Sequence, residues 1–282
     1  MSIRTVVYKD VLDARRSKVV WLVGFHYALL LVLFFAQVHV TGPEHASATI
    51  EALWGMAFVG GVFVPAIALV AAYLAIAGER ESGSIRYLLS TPVTRREVVL
   101  GKYVSRATIV AVSLIVGFAV AAILARLWFG SFDPRVFAGI AALTVLYALA
   151  YVAVAIGISA ISRSRSRAML GAFGFYVMTN LMTLNDDVSG IAGIEYVLND
   201  LLEFGVGEGG VQFLGIVTNP TRAYLLSILG VFPSEGTAEM ALPDPATLPW
   251  YVQPEIAMLV LGVWLVVPVV VGRRVFDRAD IT

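Results

Sequence analysis

Gly78-Glu-Arg-Glu-Ser-Gly-Ser-Ile-Arg-Tyr-Leu-Leu-Ser-Thr-Pro-Val-Thr-Arg-Arg-Glu-Val-Val-Leu-Gly-Lys102 is a charged stretch between two strongly apolar runs, and it is still patterned like helix. Ile85, Leu88 and Leu89 stand at i, i+3 and i+4, which makes one apolar stripe on a short helix. Thr91-Pro92 ends that helix, because the residue before a proline is pushed out of the α region. Thr94 and Glu97 then have the spacing of a capping box, and Val93 and Val98 that of a hydrophobic staple. A second helix therefore starts at Thr94 and runs straight into apolar sequence. The stretch reads as helix, sharp elbow and helix, lying at a membrane surface and feeding a span.

Composition agrees with that setting. The 282 residues are 59% hydrophobic and only 14% charged, with a mean hydropathy of +0.84. A soluble domain carries about 25% charged residues. The expected fold is an all-α polytopic membrane protein of one domain, 1–282. Six apolar runs are long enough to cross a hydrocarbon core of about 30 Å. They are 19–38, 55–77 (with Pro65 inside), 103–128, 136–161, 168–184 and 255–272. The first is read as a span and not a secretory signal, since no small-residue cleavage site follows it. Residues 1–18 suggest a basic amphipathic helix on the membrane, and 79–102 is the elbow between spans two and three.

Charge sorts the loops. Segments 1–18, 79–106, 162–167 and 273–282 hold all of the 20 Lys and Arg except Arg126, Arg135 and Arg222. The basic segments belong in the cytoplasm, so both termini and the elbow are expected there, in a plasma membrane. The acidic segment 185–254 then lies outside. Within it, Ile194, Val197, Leu198, Leu201 and Leu202 recur at helical spacing, and Asn219-Pro220 starts a second short helix carrying Tyr224, Leu225 and Ile228. Neither is long enough to span, so both are expected as amphipathic helices on the outer surface.

Little in the chain suggests chemistry of its own. There is no cysteine, and His26, His39 and His45 lack zinc-ligand spacing, so no metal or cofactor is expected. Gly205-x-Gly207-x-x-Gly210 has no strand–helix unit around it and reads as a flexible turn. No Walker A sequence is present, so any ATP hydrolysis falls to a separate subunit. Inside the spans only His26 is ionisable and deep, which leaves no proton or sodium relay to drive transport. Energy has to enter elsewhere, and the elbow is the place for it. Tyr73, Ser113, Thr144, Tyr147, Tyr151 and Tyr176 are the candidates for a polar path. Ala168, Gly171, Ala172 and Gly174 would let the fifth span pack closely on a neighbour or a second copy.

The run Glu79-Arg80-Glu81-Ser82-Gly83-Ser84-Ile85-Arg86-Tyr87-Leu88-Leu89-Ser90-Thr91-Pro92-Val93-Thr94-Arg95, followed by Gly101-Lys102, resembles the signature of ABC-2 type transporter permeases. Within that family it is most similar to the branch linked to nitrous-oxide reductase maturation. The layout of the whole chain is similar too. The resemblance implies a permease subunit, most simply of an exporter, paired with a second permease copy and two cytosolic ABC ATPase subunits. It makes Glu79, Arg80, Glu81 and Arg86 charged contacts on the coupling surface, with Gly83 giving a tight bend. Leu88 and Leu89 would anchor the elbow in the membrane surface, Pro92, Thr94 and Glu97 would set its shape, and Arg95, Arg96 and Lys102 would meet lipid phosphates or the partner. No nucleic acid is implied. The rival expectations are a non-transporting anchor or mechanical transmitter for a partner ATPase or maturation factor and, less favoured, an intramembrane enzyme.

Overall fold

The computed structural model describes residues 47–129, 133–181, 190–233 and 242–279, with Thr183 and scattered positions between 7 and 40. The expected helix at 1–18 and most of the first expected span lie outside the described residues. Along the rest the chain forms α1 (Ser47–Ala72), α2 (Ala77–Glu81), α3 (Ser84–Leu89), α4 (Arg95–Phe129) and α5 (Pro134–Ile161). Next come α6 (Arg165–Tyr176), with a π-helical extension Val177–Leu181, and α7 (Gly190–Glu195), extended likewise by Tyr196–Leu201. The hairpin of α8 (Glu208–Thr218) and α9 (Pro220–Leu229) leads to α10 (Pro254–Asp277). Among the described residues there is no strand.

Four segments among these are long and apolar enough to cross a membrane: Leu53–Glu81, Arg95–Trp128, Pro134–Ile161 and Pro254–Asp277. They match the second, third, fourth and sixth expected spans. The fifth is different, because α6 is 12 residues long and passes into a five-residue π-helix.

The bundle is built on α5. Asp133 caps it, its carboxylate accepting from the amides of Arg135 and Val136, and Pro134 opens it at a position that needs no amide proton. Its row of alanines, Ala148, Ala150, Ala153, Ala155 and Ala160, is buried, and α10, α1 and α4 pack around it. The closest approach is to α10. A Cβ on Gly157 would sit 2.6 Å from the Pro268 carbonyl oxygen, and one on Gly272 would sit 2.7 Å from the Gly157 Cα. Only glycine fits at that crossing. On α6, Gly171 comes up against Ile158, while nothing lies within 4 Å of a Cβ on Gly174, so one side of that helix is open.

The helix starting at Asn219-Pro220 forms where its cap predicts. The Asn219 side-chain oxygen accepts from the amides of Thr221 and Arg222 at 2.9 and 3.3 Å. It does not lie on a surface, however. Thr221, Ala223, Tyr224, Ser227, Ile228 and Leu229 are buried, and α9 packs against α10, α5 and α1. The 194–204 segment does stay exposed, with Tyr196, Val197, Leu201 and Phe204 all outward.

Candidate functional site

The elbow is held at every turn by contacts to helix ends. The amides of Ile76 and Ala77, which open α2, both donate to Ser159 Oγ at 3.0 Å. Glu79 accepts from the buried Lys102 ammonium of α4 at 2.5 Å. Arg80 Nη1 donates to the carbonyls of Ala160 and Ser162 at 3.4 and 3.2 Å, where α5 ends and its dipole favours a cation. Glu81 accepts from the Arg165 amide at 2.6 Å, where α6 begins and an anion is favoured. Arg95 Nη1 lies 2.7–3.0 Å from the carbonyls of Phe276, Asp277 and Ala279, capping α10. The guanidinium carbons of Arg80 and Arg95 stand 5.8 and 5.7 Å from the centre of the same Phe276 ring, within cation–π range.

Local chemistry sets the bend itself. Gly83 has φ +74°, the left-handed conformation that lets α2 stop and α3 start at once. The hydroxyls of Ser90 and Thr91 donate to the carbonyls of Tyr87 and Leu88 at 2.8 and 2.6 Å, closing α3. The capping box is present in both directions. Glu97 accepts from the Thr94 amide at 2.8 Å, and Thr94 Oγ1 accepts from the Glu97 amide at 3.2 Å. Val93 and Val98 are buried, and Pro92 is exposed at the corner.

Of the residues singled out in the sequence, Glu79, Arg80, Glu81 and Arg95 are all engaged within the chain. Leu88 and Leu89 pack against the chain's own core, and Ile85 beside them is fully buried. The apolar stripe of α3 thus faces the bundle. Arg86 and Arg96 remain exposed.

A second constellation lies in the bundle interior, where α1, α5, α9 and the π segment meet. Thr221 Oγ1 is within 2.8 Å of both the Tyr147 and Tyr151 hydroxyls and donates to Asn180 Oδ1 at 3.1 Å. Tyr151 also meets Thr179 Oγ1 at 2.7 Å and accepts from Asn180 Nδ2 at 3.0 Å. Thr144 and Tyr224 share a hydrogen bond of 2.8 Å, and the Tyr147 and Tyr224 rings stack with centres 4.2 Å apart. Tyr147, Tyr176 and Tyr224 donate to the α1 carbonyls of Gly61, Val62 and Ala57. The sequence reading had Thr144, Tyr147, Tyr151 and Tyr176 among its polar-path candidates but not Thr179, Asn180, Thr221 or Tyr224. The signal it passed over was two hydroxyl side chains, Thr221 and Tyr224, three apart on the second short helix. Tyr73 is not in this network. With Tyr176, Leu69, Met169 and Phe173 it lines an apolar cleft of 400 Å³ between α1 and α6. A larger cavity of 650 Å³ opens at the other end of the bundle from the elbow, beside Trp54, Glu195, Glu208 and Arg222.

Membrane-length helices around one buried helix, with a charged joint tied to their ends, define a polytopic membrane protein. The chain belongs to the ABC-2 family of transporter proteins, whose model matches residues 4–281. The NosY protein of Stutzerimonas stutzeri, named a probable ABC transporter permease, is 28% identical over 288 residues, covering 97% of each chain. NosY of Pseudomonas aeruginosa, named in the same way, is 25% identical over 287 residues, covering 98% of each. The chain is a membrane permease subunit of an ABC transporter, and membership of the family implies association with ABC ATPase subunits.

Proposed function

We propose that this permease works as one of two copies in a plasma-membrane exporter driven by separate cytosolic ATPase subunits. Each copy has six spans, with 1–18 a cytoplasmic surface helix, 79–102 the coupling elbow and 185–254 the extracytoplasmic part. The concentration of Lys and Arg in the elbow-end segments supports cytoplasmic termini. The observation that carries the reading is the wiring of the elbow. A push on α3 reaches α4 through Glu79–Lys102, α5 through Arg80, α6 through Glu81 and α10 through Arg95. A surface loop that merely connected two spans would need none of these contacts. The open side of α6, with Met169, Leu170 and Phe173 exposed beside Gly174, suits packing against the second copy, with lipid around the rest.

Purification in mild detergent from the native host tests this. The expected result is a cytosolic ATPase recovered in equal amount, with ATP-dependent movement of cargo out of cells. A permease that comes down alone would overturn it.

One observation favours a second reading, in which the chain transmits force without carrying cargo. The hydroxyls that would line a polar path, Thr144, Tyr147 and Tyr151, are each hydrogen-bonded inside the closed bundle. ATP hydrolysis stimulated by the permease, with no cargo moved in sealed vesicles, would select that reading.

A further inference from the structure

We infer that α3 offers the cytosolic ATPase an aromatic knob, Tyr87, set in a basic collar, and that the groove receiving it is an apolar slot with an acidic rim. This rests on the elbow being the ATPase-docking surface. It differs from the contact set expected from the sequence, because most of those residues are already in use.

The charges already in use come first. Every carboxylate described at the elbow end of the bundle has a partner within the chain. Glu79 holds Lys102, Glu81 holds the start of α6, Glu97 closes the capping box, and Asp277 faces Arg273 at 3.4 Å. The positive charges there are not matched in the same way. Arg86, Arg96, Arg163, Arg274 and Arg278 are exposed, and none of them has a carboxylate partner among the described residues. A partner that docks on this end meets a positive field, and complementarity demands an acidic one.

Orientation gives the knob. Ile85, Leu88 and Leu89 turn toward the bundle, so Arg86 and Tyr87 point away from it. Tyr87 is 81% exposed, a large aromatic surface left in the open on a rigidly held turn. Tyrosine and arginine are among the side chains that most often anchor interfaces, since an aromatic ring brings much apolar area at small entropic cost. The bend at Gly83 and the hydroxyl bonds at Ser90 and Thr91 fix α3 before a partner arrives, which lowers the cost of binding. A membrane surface fits less well as the occupant. A helix resting on lipid turns its apolar stripe to the lipid, and here the stripe is packed on the protein.

The test uses the full chain with its co-purifying ATPase. Arg86→Glu with Tyr87→Ser is expected to lower ATPase recovery at least tenfold, while Tyr87→Phe keeps it, and moderate salt is expected to weaken the wild-type complex. Both positions are exposed, and an unchanged elution profile of the permease checks that the fold is intact. Because the natural chain has no cysteine, Tyr87→Cys carries a single thiol for a photo-crosslinker. An adduct with the ATPase, mapped to an acidic segment of it, is the expected product. An adduct with lipid only, or full ATPase recovery by the Arg86→Glu, Tyr87→Ser variant, overturns the inference and leaves the exporter reading standing. Failure of the wild-type chain to bring down any ATPase strikes the exporter reading itself.

Discussion

Proline at position 65 has no amide proton, so the Gly61 carbonyl four residues earlier loses its helical donor. The Tyr147 hydroxyl supplies one from α5 at 2.9 Å, and in a span such a group has no water to turn to. Tyr147→Phe should therefore cost about 1–3 kcal/mol, the penalty for a buried acceptor left unmet. The same change made in a Pro65→Ala background should cost less, because alanine restores the backbone amide that serves the Gly61 carbonyl. Thermal unfolding of the four proteins in one detergent gives the coupling, and equal losses in both backgrounds would refute the assignment. Gly83 makes the second residue-scale case. Nothing lies within 4 Å of a Cβ there, so Gly83→Ala loses stability only through its positive φ, by about 1–2 kcal/mol. Gly83→Asn should lose less, since asparagine tolerates the left-handed region, and melting curves should rank the three Gly, Asn, Ala.

At the scale of elements, α5 and α10 are joined at Gly157 and Gly272. Gly272→Val brings side-chain atoms onto the Gly157 backbone, and backbone cannot yield as a flexible side chain does. The expected cost is about 1–3 kcal/mol or more, as for other overpacked sites, seen as loss of monodisperse protein, whereas Gly262→Val on the open side of α10 should be tolerated. Sequence alone announced α4 by its capping box and α9 by Asn219-Pro220. Both announcements are local, made by side chains within a turn of the backbone they serve, and each helix starts as read. Where α9 would go was not legible. A ten-residue helix with Tyr224 and Ile228 on one side looks the same whether that side meets lipid or α5. The partners that decide it, Thr144, Tyr147 and Ala57, are 70 or more residues away in the chain. The elbow charges were visible for the same local reason, and their partners hidden for the same distant one. Arg95 finds its acceptors 181 to 184 residues on.

For the whole molecule, the proposed docking role has the elbow separate two jobs that a single charged loop would mix. Arg86 and Tyr87 are exposed on the outer face of α3, while Arg80 and Arg95 hold the ends of α5 and α10. Substitutions on the two sets should then fail differently. Arg80→Gln with Arg95→Gln takes away two charges that face helix C-termini but leaves the outer face of α3 as it was. The ATPase should still bind with nearly wild-type recovery and still hydrolyse ATP. Movement of the ATPase would no longer reach α5 and α10, so stimulation of hydrolysis by cargo, and flux itself in sealed vesicles, should fall together by tenfold or more. The Arg86→Glu, Tyr87→Ser variant should lose all three at once, since nothing docks. If Arg80→Gln with Arg95→Gln instead lost the ATPase, the two arginines would belong to the docking surface, and the joint would have to transmit through Glu79–Lys102 and Glu81 alone. Reconstituting both variants beside the wild type, with binding, hydrolysis and flux read from one preparation, separates these outcomes.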